Sequence, residues 1–582
     1  MSANVLTPRR LLVLTALLAV LAAGTHTGWL VLQVRSDLLD ARSAAERLRQ
    51  TADEGQQAQR DAADDLRAAA ADAAEHTDGL WWSVMTRVPV VGDDAAAVRA
   101  LSGSLDTLTG RGLDPLATVL DLLPRLSHDG RVAIGVARQL QAPVAQAHGA
   151  VALARDEVAG IEASDLSGAV REQFEEYVEM VTDADAALAS GLTATRALPT
   201  MLGGDEPRRY LLIFQNNAEI RATGGLPGSW ATVEADRGRL RMARQGAGGG
   251  FAVLPEPVGL SKAERGIYGD VHGTYFVNAN FTPDFPRAAE LWRERFALDY
   301  PEEPLDGVVA LDPVALSYLL GGAGPVETRG TTLTPDNIVD ELLHRPYLEL
   351  TPGEQDRLFA DTARAVFDAV TGDPESPVDL VQGLSRASAE GRLLVAPFEN
   401  AEAELLAGSD VLGALPGDDG ETPHVHVALN DATGSKMSYF LRYYGDVSAG
   451  GCQDGRQSLQ GSVTLRQSIS PRDARVLPDY VTGGGRYGTT PGSQLVLMRI
   501  YAPHGGSIGE IRLNGERVDK FTKIVELDGR PVATVVAALS STDDVVVRWD
   551  METGPGQTAD GVLEMTPSVV PGRNRWGFSS AC

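Results

Sequence analysis

Gln215, Asn216, Asn217, Glu219 and Arg221 stand close together, and their types are those of a polar binding site. Amides donate and accept at once, a carboxylate accepts or takes up a proton, and a guanidinium grips carboxylate or phosphate oxygens in a fork. An apolar run, Tyr210 to Phe214, precedes them and reads as a buried strand. Gly224, Gly225, Pro227 and Gly228 follow and mark a sharp turn. Trp230 to Glu234 reads as a second strand, closed by the turn Asp236-Arg237-Gly238. Two readings stand. In one, a rigid strand end presents the polar groups to a cleft. In the other, the amides cap a hairpin and Glu219 pairs with Arg221 on the surface.

Further candidates lie downstream. Arg239, Arg241 and Arg244 cluster in an otherwise acidic chain. Gln245 to Gly250 is glycine-rich without the Gly-Lys-Ser/Thr ending of a phosphate-binding loop, and reads as a loop, over a cleft or plain. Asn278, Asn280 and Asp284 flank a helix predicted over Pro286 to Phe296, with Thr282 or Asp284 as its cap. Asp306 to Leu311 reads as a strand and Pro313 to Leu320 as a helix, ended by Gly321, Gly322 and Gly324. Thr334-Pro335-Asp336 opens another helix, and Glu354 to Val370 is one more, carrying Asp356, Arg357 and Arg364. This alternation predicts an α/β domain. His424 and His426 share one face of a strand, but no further ligands accompany them, and a plain structural pair is expected. No Gly-x-Ser-x-Gly elbow or catalytic triad stands out.

The stretch YLLIFQNNAEIRATGG from Tyr210, with Asn278 to Trp292 and Leu305 to Val326, resembles a bacterial family called domain of unknown function 4012, whose members are membrane-anchored and have no assigned activity. The resemblance covers about Pro207 to Arg364. The order of the pieces is also similar to the LytR-CpsA-Psr ligases, which move glycopolymers from a polyprenyl pyrophosphate carrier to peptidoglycan. Those enzymes place arginines on the pyrophosphate and hold magnesium with carboxylates. Gln215 to Gly225 stands where they carry an acidic turn and Arg-x-Asp-Thr, and Phe276 to Ala279 stands on their Lys-Ile-Asn-Ala. Arg345 and Asp356-Arg357 stand near their later arginine signals. The resemblance implies that Arg221, Arg345 and Arg357 contact phosphate while Asn216, Asn217, Glu219 and Asn278 shape the site. The departures weigh against catalysis. Asn216 or Asn217 replaces the metal-binding aspartate, and Arg221 is followed by Ala222, Thr223 and Gly224. An amide lacks the charge that holds Mg²⁺. A metal is expected only if the protein is enzymatic and Glu219, Asp284 or Asp356 substitutes.

The elements that position these residues follow from the rest of the chain. With 582 residues, several domains are expected. A net charge of −28 repels a phosphate backbone and excludes nucleic acid as a partner. Arg9 and Arg10 precede an apolar run from Leu11 to about Val34, which suits a bilayer of ~30 Å. An uncleaved anchor is expected, a signal peptide cut near Ala22-Ala23-Gly24 being the alternative. Arg35 to Glu75 is alanine-rich and reads as a helical stalk of ~60 Å. Leu80 to Val91 forms an apolar block, and leucines from Leu101 to Leu123 recur at helical spacing. From His424 onward short strands dominate and predict an all-β sandwich. Cys452 and Cys582 are too few for a typical structural zinc site; they pair as a disulfide or reach another molecule.

The expected fold is therefore multidomain: a transmembrane helix (1–34), an elongated helical stalk or bundle (35–200), a LytR-CpsA-Psr-like α/β domain (205–400) and an all-β sandwich (423–582). The expected function is a single-pass, extracytoplasmic cell-envelope protein that binds a lipid-linked glycan or polyprenyl-phosphate headgroup. The alternatives are an active glycopolymer phosphotransferase and a structural spacer that binds a protein partner.

Overall fold

The structure is a computed structural model; it describes residues 30–582 apart from 31, 49, 51–55, 90, 129, 419 and 519–522. The chain divides into two units, one built from residues up to 122 with 139–192, the other from 123–138 with 193–582.

The membrane anchor is corrected. No helix among the described residues is long and apolar enough to cross a membrane. Most of the run on which the span was placed lies outside the described residues. The membrane as a partner and the single-pass localisation rested on that span and fall with it.

The first unit is helical. Helical residues 32–48 are followed by α1 (Gln56–Asp78), α2 (Leu80–Met85), α3 (Gly92–Leu122), α4 (Ile134–Val158) and α5 (Gly168–Met201), the last two running on into the second unit. The expected stalk folds back on itself. Asp37 meets His76 at 2.8 Å and Arg47 meets Asp65 at 3.1 Å. Ala41, Ala44 and Leu66 share a small core between the two limbs. A single extended helix would leave that alanine seam in water; the hairpin covers it.

In the second unit, a mixed sheet carries β1 (Arg208–Arg221), β2 (Gly224–Asp236), β3 (Arg239–Ala247), β4 (Gly307–Leu311) and β5 (Leu393–Pro397) in the order β3-β2-β1-β4-β5. A small hairpin at 127–132 extends the β3 edge. β1 runs parallel to β4, from Tyr210 opposite Gly307 to Phe214 opposite Leu311. Side chains alternate across a strand. Leu211 and Ile213 therefore pack on one face with Trp292 and Phe296 of α6 (Phe285–Asp299). Leu212 packs on the other with α7 (Pro313–Ala323), α8 (Ile338–Leu343), α9 (Pro352–Thr371) and α10 (Pro377–Ala389). Asp312 starts α7 by accepting from the Ala315 amide at 2.7 Å, and Gly324 closes it.

The carboxy-terminal part holds two facing sheets. One runs β11-β12-β9-β6-β14-β15, comprising β6 (His424–Asp431), β9 (Gln494–Tyr501), β11 (Ile524–Leu527), β12 (Arg530–Leu539), β14 (Gly561–Met565) and β15 (Arg575–Phe578). The other runs β7-β8-β13-β10 with a short edge at 516–517, comprising β7 (Leu441–Gln453), β8 (Arg456–Gln467), β10 (Ser507–Leu513) and β13 (Val545–Glu552). Val427, Leu429, Val463, Met498, Val547 and Trp549 fill the space between them. Cys452 and Cys582 form a disulfide across 130 residues of chain, tying the carboxy terminus to β7.

Closing a loop of that length removes much unfolded-state entropy. Reduction, or Cys452→Ser with Cys582→Ser, is expected to lower stability by about 2–5 kcal/mol, read by urea unfolding with and without dithiothreitol.

Candidate functional site

β1 does not end where its apolar run ends. After Phe214 it bulges twice and continues to Arg221, which pairs with Gly224 across the turn. Gly224 has φ of 128°, and a Cβ on Gly225 would lie 2.2 Å from the Asn216 carbonyl carbon. Only glycine fits at these two positions. The extended strand leaves its own sheet and enters the other half of the unit. Ile220 belongs to the sandwich core. Ala218 packs with Met437 and Ile469, and Ala222 with Ala428 and Tyr501. Its backbone is satisfied from the same side: the Ile220 amide donates to Ser438 and the Ala222 amide to Asn430.

The polar residues of this strand form three buried clusters. Gln215 Oε1 accepts from Thr223 at 2.7 Å and from Asn280 at 3.1 Å, while Asn280 also donates to the Gly225 carbonyl at 2.8 Å. Asn217 donates to Asp312 at 2.8 Å. Asp312 also accepts from Arg392 at 2.9 Å, and Arg392 donates to Glu390 at 2.6 Å and to the carbonyls of Ser568 and Val570 at 2.7 Å each. The third cluster is Glu219, which accepts from Arg221 at 3.0 Å and from Lys436 at 2.5 Å. Asn216 donates to the Tyr347 hydroxyl, and Lys436 lies over the Tyr347 ring at 5.4 Å. Burial alone would raise the Glu219 carboxyl, but Lys436 and Arg221 outweigh it and hold it below its ordinary range. Burial raises Asp431, helped by the Glu219 charge; Asp431 accepts from the Gly434 amide at 2.6 Å.

The structure thus brings Asn216, Glu219 and Arg221 near one another, with Asn217 one strand face away, but as internal partners. Arg221 is buried, with its guanidinium 5.1 Å from the Phe281 ring. It does pair with Glu219, though inside the protein rather than on the surface. Arg345 is half exposed and bound to Glu341 at 2.5 Å. Arg357 lies exposed on α9. Arg221 is thus enclosed, whereas Arg345 and Arg357 lie at the surface. Asn278 sits in the 3-10 helical segment Phe276–Phe281 before α6, donating to the Val271 carbonyl at 3.2 Å. Arg241 and Arg244 are taken up by Glu234 and Glu303. His424 and His426 are buried, with His424 3.2 Å from Glu564.

Among the described residues no three His, Cys, Asp or Glu side chains come together as a metal site. Glu219 is held by two cations, Asp284 is turned to the Leu415 amide at 3.3 Å, and Asp356 is exposed on α9. This donor set does not fit magnesium.

A narrow cavity lies where the parallel pairing of β1 and β4 ends, with about 50 Å³ of internal space. Phe214, Leu311, Leu316, Leu342 and Phe359 make its wall, and Gln215, Asn216 and Asp312 stand at its rim. Gln215 and Thr362 are among its lining residues, and the buried atoms Gln215 Nε2 and Thr362 Oγ1 have no hydrogen-bond partner. Asp312, which caps α7 and binds Arg392, and Lys436 were not singled out by the sequence.

Residues 205–347 match the family model described as "Protein of unknown function (DUF4012)", which supports that family for this segment. No curated protein and no solved structure matches the chain. The matched segment contains β1 to β4 and α6 to α8; Arg392, Asp431 and Lys436, which receive its polar residues, lie beyond it.

Two outcomes are expected. Arg392→Ala leaves Asp312 buried without its cation and Glu390 with Arg386 alone, and costs about 3–5 kcal/mol, whereas Arg345→Ala costs within about 0.5 kcal/mol, both read by urea unfolding. Burial pushes Asp284 up to about 7. The folded chain then holds a proton that the unfolded chain has released above ~4, so stability falls as pH rises through that window. Asp284→Asn should gain stability over the parent at neutral pH and lose that gain near pH ~4.

Proposed function

We propose that the protein is a binding protein for an amphiphile of the lipid-linked glycan or polyprenyl-phosphate class, and that it does not transfer the glycan. One observation carries this reading: the apolar cavity where the parallel pairing of β1 and β4 ends, with Gln215 and Thr362, each holding a buried atom without a hydrogen-bond partner, among its lining residues. Open sheets commonly receive ligands at the carboxyl ends of parallel strands. A dry apolar wall takes a slender chain, and an orphaned buried N–H calls for an acceptor, since leaving it unpaired costs about 1–3 kcal/mol. A cavity of about 150 Å³ holds a benzene ring; this one, about 50 Å³, suits the narrow end of a chain. On this reading the similarity to the LytR-CpsA-Psr ligases extends to the order of elements and not to the chemistry. The charges that would hold a metal or a pyrophosphate are engaged with one another instead.

The test uses the full chain and a polyprenyl-pyrophosphate sugar, with and without Mg²⁺. Saturable binding, indifferent to Mg²⁺ and without release of polyprenyl phosphate, is expected. Ala363 lines the cavity, and Ala363→Leu should fill it and weaken binding at least about tenfold with stability little changed. No binding, or metal-dependent release, would contradict the proposal.

A further inference from the structure

β7 is a long edge strand. It runs for 13 residues, pairs with β8 on one side, and has no strand on the other among the described residues. β15, the edge of the facing sheet, is not paired with it; the two share the lining of a gap of about 180 Å³.

The register shows which main-chain groups of β7 are unused. The Ser468 amide donates to the Phe440 carbonyl, and these residues stand opposite each other, one step from the pair Leu441 and Gln467. In an antiparallel ladder the hydrogen-bonded pairs recur at every second residue. Arg442, Tyr444 and Asp446 therefore bond to β8, while Tyr443, Gly445 and Val447 turn their N–H and C=O groups to the open edge. Such an edge is a template for another strand unless proline, a bulge or like charges blunt it. β7 contains no proline, and its bulge lies beyond, at Ala449 to Gly451.

The side chains add a pattern. Tyr443 and Val447 pack toward the sandwich core, so Arg442, Tyr444 and Asp446 share the outer face. Tyr444 is 63% exposed, and Asp446 is exposed. Arg442 is half-buried and donates only to the carbonyls of Tyr439 and Leu441. Arg466 stands directly opposite it on β8, a like charge on the same face. None of Arg442, Asp446 and Arg466 has an ion-pair partner among the described residues. Cation, ring and anion thus follow at every second residue, an order that complements itself when reversed.

We infer that β7 pairs antiparallel with β7 of a second copy of this chain, about a twofold axis through Tyr444. In that register Tyr443 faces Gly445 of the second copy and Gly445 faces its Tyr443, so the outward N–H and C=O groups of both residues are satisfied. Arg442 faces Asp446 of the second copy, Asp446 faces its Arg442, and the two Tyr444 rings lie side by side. An axis through Arg442 or through Asp446 would instead set like charges against each other. The surface lies apart from the amphiphile cleft and does not depend on that reading.

The test is sedimentation velocity of the full chain from low micromolar to a few hundred micromolar. A monomer–dimer equilibrium is expected. Arg442→Asp and Asp446→Arg each oppose like charges twice and should each weaken the dimer at least about tenfold, with an unchanged circular-dichroism melt. An equimolar mixture of the two variants should dimerise about as well as the parent, because each facing pair is then an Asp against an Arg. A monomer at every concentration, a dimer unmoved by both variants, or a mixture that stays monomeric would overturn the inference.

Discussion

Arg392 has almost no exposed surface, and it bridges Asp312 at the start of α7, Glu390, and the carbonyls of Ser568 and Val570 near the carboxy terminus. Glu219 and Lys436 make a second bridge of the same kind, from the far end of β1 to the sandwich. Taking a charge out of water costs several kcal/mol unless other groups satisfy it. Here the partners of each charge come from both halves of the unit. Taking the sandwich away would strip Arg392 of two carbonyls and Glu219 of Lys436, and taking the α/β part away would leave Lys436 without its carboxylate. The α/β sheet and the sandwich are in this sense one body, and Ile220 in the sandwich core adds an apolar pin to the ionic ones.

That arrangement decides what chemistry is left. Arg221 and Glu219 have the types a phosphate site needs, but they neutralise each other and Lys436. Asp312 sits beside the cavity, yet one oxygen caps α7 and the other receives Arg392 and Asn217. A carboxylate with both oxygens engaged has little left for a metal. The cavity beside it offers an apolar wall with Gln215 and Thr362 among its lining residues, which is the basis of the proposed retention of a ligand.

Local patterns carried much of the architecture into the sequence. The apolar run at Tyr210 to Phe214 lies within β1, and the helix expected over Pro313 to Leu320 lies within α7, with Gly324 at its end. Val425 to Leu429 and Gln494 to Tyr501 lie within β6 and β9. Gln215 to Arg221 misled because polar residues after a strand read as an exposed end. Nothing local shows that Ser438, Asn430 and Lys436, some two hundred residues away, cover it. The alanine-rich stretch from Arg35 misled for a related reason: its periodicity specifies a helix and an apolar face, but not that the face is covered by the next limb of the same chain. The arginines failed as a set because resemblance fixes order along the chain, not position in space.

The claim that the two halves share buried charges is tested most directly by a double-mutant cycle on Glu219→Gln and Lys436→Met, with unfolding free energies for the parent, both single variants and the pair. A coupling of about 1–3 kcal/mol with a single cooperative transition in the parent is predicted. Additivity within about 0.5 kcal/mol, or separate transitions for the two halves of the parent, would contradict it.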